Sequence, residues 1–209
     1  MSVLLAVAAI AMVAWFAAGT FWNVRKASAF MRWMHDGLPL LGRRTTVRWL
    51  GSSAVEMAIR EARSPLRGAS LVIFLEPRDL PWWPLSRAGG RRDTLIVRAA
   101  LEKAPPTEFE AFDPASWSGR DALRRVPREW RAREPAVAGD PVVRYEADAA
   151  PRLADRLLER ARSAGLVVRR LSVRRTEPHF QLHIALPGAE SSARELFEAV
   201  RALAELATR

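Results

Sequence analysis

An uncharged apolar segment, Val3 to Trp22, begins the chain and constrains its folding more than any other feature. About 20 residues at a rise of about 1.5 Å each match a hydrocarbon core roughly 30 Å thick. The segment therefore predicts one N-terminal transmembrane helix. A cleaved signal peptide is one alternative, but it needs a basic region where only Met1 and Ser2 precede the apolar residues. A helix buried within the domain is the other alternative.

The charges that follow this segment predict its orientation. Six basic residues lie between positions 25 and 48, against one acidic residue, Asp36. By the positive-inside rule, this flank stays in the cytoplasm and the short N-terminus crosses the membrane. We therefore expect a single-pass protein of the cell membrane, with its N-terminus outside and its C-terminal domain in the cytoplasm.

Composition limits the kinds of site that the rest of the chain can form. The 33 basic residues exceed the 23 acidic ones, and only Lys26 and Lys103 are lysines. A GC-rich coding sequence is a simpler explanation of this arginine bias than selection for phosphate recognition. The charge thus indicates attraction to anionic surfaces without identifying a partner. The absence of cysteine excludes disulfides, thiolate nucleophiles and cysteine-ligated metal sites.

The spacing of apolar residues predicts an α+β fold. Val55, Met57 and Ile59 alternate with other residues, as in a strand with one solvent-exposed face. Continuous apolar residues at 71–75 indicate a central strand, and Ser192 with Glu195 forms a capping box before a helix. We predict one transmembrane helix, then a mostly antiparallel β-sheet domain with a C-terminal β-α-β-β-α unit.

This prediction divides the chain into four segments. Residues 1–26 form the membrane anchor and its basic flank, and residues 27–112 form a juxtamembrane helix and an antiparallel β-meander of five strands. Residues 113–140 form a proline- and arginine-rich connector with a short helical stretch near 120–126. Residues 141–209 form the β-α-β-β-α unit, packed with the meander. Within the meander, residues 77–92 are rich in proline and glycine, which predicts irregular structure.

Aromatic and basic side chains near the span are candidates for the membrane interface. The apolar side of residues 25–36 either lies at headgroup level or docks on the domain. In the sequence PRDLPWWPLSRAGGRR at 77–92, two tryptophans lie among arginines, a composition suited to a loop that dips into the interface. Alternatively, both rings cover the sheet as a lid. The candidate interface residues are Trp22, Arg25, Lys26, Arg32, Trp33, Trp82 and Trp83.

Arginine pairs mark candidate anion-binding positions. Alternation predicts that Arg170, Ser172 and Arg174 share one strand face, while Arg169 lies on the other with Leu171. A solvated strand face is the simpler explanation of these charges. In the connector, Trp117 and Trp130 lie among arginines, which is also typical of single-strand nucleic-acid binding, although acidic residues interrupt the run. The candidate anion-binding residues are Arg91, Arg92, Arg124, Arg125, Arg170 and Arg174.

The sequence predicts no catalytic, cofactor or metal site. The sequence lacks a phosphate-cradling glycine loop, a dinucleotide fingerprint, a serine elbow and a zinc-protease helix. His179 and His183 would lie about 13 Å apart along one strand face, too far for one metal ion. Glu108 and Glu110 share a strand face opposite Phe109, and we expect both carboxylates to be exposed to solvent.

These observations favour a non-enzymatic function. We expect an interaction or scaffold module at the inner leaflet, whose partners are anionic membrane lipid and a cytosolic protein. One alternative is an enzyme acting on a lipid or another anionic substrate, with Asp79 or Asp93 as the base. The other alternative is nucleic-acid binding through the arginine- and tryptophan-rich connector.

Overall fold

The computed structural model describes residues 2–135, 139–188 and 190–209. Within these residues the chain forms five α-helices and a single nine-stranded sheet in which every strand pairing is antiparallel. The predicted α+β class and the antiparallel sheet are thereby confirmed.

The nine strands follow the order β1-β2-β3-β4-β9-β8-β5-β7-β6 across the sheet. The strands are β1 (Gly42–Trp49), β2 (Ala54–Ala62), β3 (Leu66–Phe74), β4 (Thr94–Leu101), β5 (Phe109–Phe112), β6 (Arg131–Arg133), β7 (Val142–Tyr145), β8 (Val168–Val173) and β9 (Phe180–Ala185). The helices are α1 (Ser2–Met34), α2 (Trp83–Ala88), α3 (Trp117–Arg125), α4 (Ala150–Ser163) and α5 (Ala193–Ala207), and a 3-10 turn covers Leu38–Leu40.

The pairing of β5 corrects the predicted meander. Strands β1 to β4 do form a meander, but β5 lies between β8 and β7 instead of beside β4. Strand β4 pairs with β9 in its place. The elements β7, α4, β8, β9 and α5 therefore follow one another along the chain as predicted, yet β5 separates β7 from β8. The two halves therefore share one sheet. The prediction missed this arrangement because strand periodicity identifies strands but not their partners.

Two stretches are more regular than their composition predicts. In the proline-rich stretch at 77–92, residues Trp83–Ala88 form helix α2. In the predicted connector, α3 begins at Trp117, and the side chain of Ser116 caps it by accepting from the N–H of Gly119 at 2.9 Å. The connector also supplies the edge strand β6. The described residues of this segment therefore belong to the folded domain.

The main core lies on one face of the sheet, beneath α4, α5 and the second half of α1. Fully buried residues from the strands and from α5, including Leu71, Phe109, Phe180 and Phe197, form this layer. The predicted cap of α5 is present, since the hydroxyl of Ser192 accepts from the N–H of Glu195 at 3.4 Å. Burial of apolar side chains contributes most of the stability of such a layer.

Helix α1 is continuous from the apolar segment into this core. Its N-terminal part is long and apolar enough to cross a membrane, by length and composition. Farther along, Ala27, Phe30 and Met34 are buried at helical spacing in the main core. Of the two alternatives for residues 25–36, docking on the domain is the one observed. The apolar segment and the domain core thus share one helix.

Candidate functional site

One end of the sheet carries most of the features that suggest function, and we call it the anchor end. The strand registers bring residues 49–54, 75–94, 112–118 and 164–168 to this end. Helix α1 reaches it at Gly19, where a Cβ atom would overlap the backbone of Arg78 and Asp79. A glycine is needed here because backbone meets backbone. The apolar half of α1 projects beyond this contact.

A polar junction holds α1 to the anchor end. The side-chain amide of Asn23, which is buried, donates to the carbonyl of Glu76 at 3.1 Å and accepts from Arg78 at 3.3 Å. The ammonium of Lys26 donates to Asp93 Oδ2 at 2.6 Å. The guanidinium of Arg78 donates to both oxygens of Asp93, at 3.0 and 2.9 Å. Bidentate, charge-assisted contacts of this kind are strong and directional.

These contacts set the ionisation of Asp93. Burial on its own would raise the pKa of this carboxyl, but hydrogen bonds from Arg78, Lys26 and the N–H of Glu76, together with the charge of Arg78, lower the pKa below its usual value. Asp93 is therefore a fixed anion within the junction. Asp79 accepts from Ser52 Oγ at 2.6 Å, so both carboxylates considered as catalytic bases already hold structural contacts.

Exposed apolar side chains are concentrated at the anchor end. Outside α1, the exposed large apolar residues of the described chain are Val47, Trp49, Leu50, Trp82, Leu85, Trp117, Leu123 and Val167. Six of these lie at the anchor end, all except Val47 and Leu123, and we call the six the apolar rim. A soluble surface distributes such residues more evenly, and a cluster indicates a contact surface.

The predicted interface residues divide into two groups. Trp22, Arg25, Arg32 and Trp82 are exposed, and Trp82 at 56% exposure does not lie over the sheet as a lid. Trp83 is half-buried. By contrast, Lys26 and Trp33 contact the domain: Lys26 pairs with Asp93, and the indole N–H of Trp33 donates to the carbonyl of Ser191 at 2.7 Å.

The opposite face of the sheet holds a buried charge network centred on Glu110. This carboxylate is 0% exposed, so the expectation that it is solvated is wrong. It accepts from Arg170 Nε at 2.5 Å, Ser172 Oγ at 2.9 Å and Arg174 Nη2 at 2.7 Å. Helix α3 packs against β5 and β8 and covers the network, which strand alternation could not predict.

This network occupies two of the predicted anion-binding arginines. Arg170 is buried, so the predicted exposed basic strand face does not exist at this position. Arg174 lies 4.2 Å over the ring of Trp130, which is itself buried and is not a free stacking platform for nucleic-acid bases. A register shift between Val168 and Arg170 breaks the alternation of β8.

The other predicted anion-binding arginines lie on α3 and beside a small cavity at the anchor end. Arg124 and Arg125 are exposed on α3, where Arg125 pairs with Asp121 at 3.1 Å. The cavity, about 20 Å³ in volume, is lined by Phe74, Gly90, Arg91, Arg92, Thr94, Ile96, Ser116, Trp117, Ser118, Arg169 and His183. Arg169 and His183 therefore line the same cavity as the predicted Arg91 and Arg92. The pairing of β4 with β9 brings His183 there, and the register shift in β8 lies beside Arg169.

His179, just before β9, and His183, within β9, are both buried. His179 Nδ1 accepts from the N–H of Leu101 at 2.9 Å, and His183 Nε2 lies 2.5 Å from the amide nitrogen of Gln181. Burial, reinforced by the charges of Arg170 and Arg98, lowers the pKa of His183 to about 3. Among the described residues, no three His, Asp or Glu side chains are grouped as a metal site requires.

Compared with models of known protein families and with curated protein sequences, the chain matches neither a family nor a curated protein.

The junction predicts a specific pH dependence for Asp93→Asn. Because the pKa of Asp93 is lowered on folding, its stabilisation is present above the usual carboxyl pKa and is lost as the pH falls through the folded pKa. At pH 7 the variant should lower the free energy of unfolding by about 2–3 kcal/mol. This difference should shrink as the pH falls below the usual carboxyl pKa of about 3.9. Urea unfolding of the full chain in detergent measures it.

Asp148→Asn provides the matched control, because the side chain of Asp148 is 89% exposed and pairs with Arg131 at the surface. Its effect on the free energy of unfolding should stay within about 0.5 kcal/mol at every pH. An Asp93→Asn effect no larger than that of Asp148→Asn would show that the junction does not hold the helix to the domain.

Proposed function

We propose that the chain is a single-pass membrane protein of the cell membrane, whose domain is a non-enzymatic interaction or scaffold module seated on the inner leaflet by its anchor end. The observation that carries this proposal is the coincidence of the apolar rim with the docking site of α1. The helix that is apolar enough to span a membrane and the rim emerge from the same end of the domain.

The docking of α1 supports this placement geometrically. Gly19, Asn23 and Lys26 contact the anchor end, so a bilayer that covers the residues before Gly19 also meets the loops beside it. Tryptophan is favoured at the membrane interface because its ring is apolar and its N–H is polar. Trp22 on α1 and Trp82 in the rim therefore belong to one interfacial layer.

Basic side chains around the rim support attraction to anionic lipid. Arg25 and Arg92 are exposed near this end, and Arg91 is half-exposed. Each basic residue near an anionic leaflet contributes about 1 kcal/mol. The positive flank of α1 also supports the cytoplasmic orientation. Anionic lipid is accordingly the partner proposed for the anchor end.

The rest of the domain remains available to a cytosolic protein. Strands β1 and β6 are the two edges of the sheet, and an edge strand can pair with an extended segment of another protein. The alternatives have less support. Asp79 and Asp93 hold structural contacts, and Trp130 is buried against Arg174. An interaction module is therefore preferred to an enzyme or a nucleic-acid-binding protein.

Insertion of the rim predicts opposite effects of two tryptophan substitutions. The full chain, which has 8 tryptophans, is placed in vesicles whose lipids carry bromine near the top of the acyl chains. Trp82→Phe should lower the quenched fraction of the fluorescence, because Trp82 is exposed in the rim. Trp130→Phe should raise that fraction, because Trp130 is buried away from lipid. If both substitutions raise the quenched fraction, the rim does not reach the bilayer.

The cytoplasmic orientation predicts the labelling of a single engineered cysteine. The chain has no cysteine, and Ala104 is exposed after β4, at the end of the sheet opposite the anchor end. Ala104→Cys should react with a membrane-impermeant maleimide only after the cells are opened. Reaction in intact cells would place the domain outside and refute the proposed inner-leaflet role.

A further inference from the structure

The small cavity at the anchor end combines three side chains that can donate hydrogen bonds from buried nitrogens. Arg91 Nε, Arg169 Nε and His183 Nδ1 are buried, and none has a hydrogen-bond partner in the described part of the chain. All three residues line the same cavity. Buried polar atoms without a partner are rare in proteins and unfavourable by about 1–3 kcal/mol each.

The hydrogen on His183 is expected on the nitrogen that lacks a partner. His183 is 4% exposed, and its Nε2 faces the amide nitrogen of Gln181, which donates. A neutral imidazole then carries its hydrogen on Nδ1. His183 is neutral near pH 7, since burial and the charges of Arg170 and Arg98 lower its pKa to about 3. The cavity is thus lined by three donor side chains.

The charges around the cavity favour an anion. Within the described residues, Arg91 and Arg92 form no ion pair with a carboxylate, whereas Arg169 donates to Asp113 at 2.9 Å. Burial lowers the pKa of Arg91, and the negative charge of Asp79 partly opposes that effect. A partly buried guanidinium without a counter-ion gains from a bound anion.

Helix α3 adds a second source of positive potential. Ser116, Trp117 and Ser118, at its N-terminus, line the cavity. The N–H groups of Trp117 and Gly119 already donate to the carbonyl of Gly90 at 3.4 Å and to Ser116 Oγ at 2.9 Å, so this terminus contributes the positive end of the helix dipole. Helix N-termini therefore bind phosphate and carboxylate groups. Gly90 lets the loop approach this terminus, since its φ of +80° and its contact with the carbonyl of Ala115 exclude other residues.

We propose that this cavity binds a phosphate ester, with one phosphoryl oxygen in the cavity and Arg91, Arg92 and Arg169 around the phosphate group. A volume of about 20 Å³ holds one oxygen-sized group, so the rest of the ligand lies at the open mouth. The stacked rings of Phe74 and Trp117, 5.7 Å apart, line the same cavity, and the guanidinium of Arg91 lies 4.7 and 5.5 Å from their centroids.

The ligand is a phospholipid headgroup or a soluble phosphate ester. The cavity adjoins the apolar rim through Trp117, which favours the headgroup of an anionic lipid. That choice rests on the proposed seating of the anchor end on the membrane. Binding of the phosphate group itself does not, because it depends only on the residues that line the cavity.

The test uses the full chain in nanodiscs of neutral lipid and follows the ring nitrogens of His183 by NMR. Only 3 histidines are present, which simplifies assignment. Titration with glycerol 3-phosphate should shift the His183 signals saturably, and phosphatidic acid within the disc should shift the same signals. Arg91→Gln and Arg92→Gln should each weaken this response about tenfold or more. Arg156→Gln, which removes an exposed charge on α4, should not.

The outcomes separate this inference from the proposed membrane seating. A response to glycerol 3-phosphate without a response to phosphatidic acid supports the phosphate site and counts against the seating. Unchanged His183 signals with both ligands overturn the site. An equal response in Arg91→Gln, Arg92→Gln and Arg156→Gln also overturns it. The His183 signals before titration show whether each variant is folded.

Discussion

The docking of the second half of α1 on the sheet is the contact on which the rest of the molecule depends. Phe30 and Met34 complete the main core, and Asn23 and Lys26 complete the polar junction with Arg78 and Asp93. An apolar contact alone would tolerate rotation of the helix, whereas directional charge-assisted bonds define one orientation. Because α1 is continuous, the direction of its apolar half follows from the orientation of the domain. The anchor end, with its rim, is thereby placed beside that half.

The two faces of the sheet differ in the interactions that they bury. The face beneath α4 and α5 is apolar and holds the domain together. The other face contains Glu110 with Arg170 and Arg174, and α3 covers it. Buried ion pairs contribute little net stability but enforce one arrangement, since removing a single partner leaves a charge without compensation. Here the network pairs Arg170 and Arg174 with Glu110. Arg91 and Arg92, which line the cavity, form no ion pair with a carboxylate within the described residues.

Local patterns in the sequence predicted the elements well and their assembly poorly. Alternation at Val55, Met57 and Ile59 predicted β2, and the apolar run before residue 22 predicted the first half of α1. The position of β5 between β8 and β7 depends on long-range pairing, which period-two alternation does not specify. Glu110 looked like an exposed residue because its neighbours alternate. Its burial depends on the packing of α3 over the sheet and on its pairing with Arg170, which lies 60 residues away along the chain. Among the residues that line the cavity, the sequence predicted Arg91 and Arg92 as anion-binding candidates. The positions of Arg169 and His183 beside them became visible only in the folded structure.

The rigidity of the helix and domain as one unit can be measured directly. Spin labels are attached to the double variant Leu5→Cys and Ala104→Cys, which places one label on the exposed apolar half of α1 and the other at the far end of the sheet. Pulsed electron paramagnetic resonance in lipid bilayers then gives the distribution of distances between them. A single narrow distribution is expected, because α1 continues without a break into the core. A broad distribution would mean that the helix and the domain move independently, which would contradict the account.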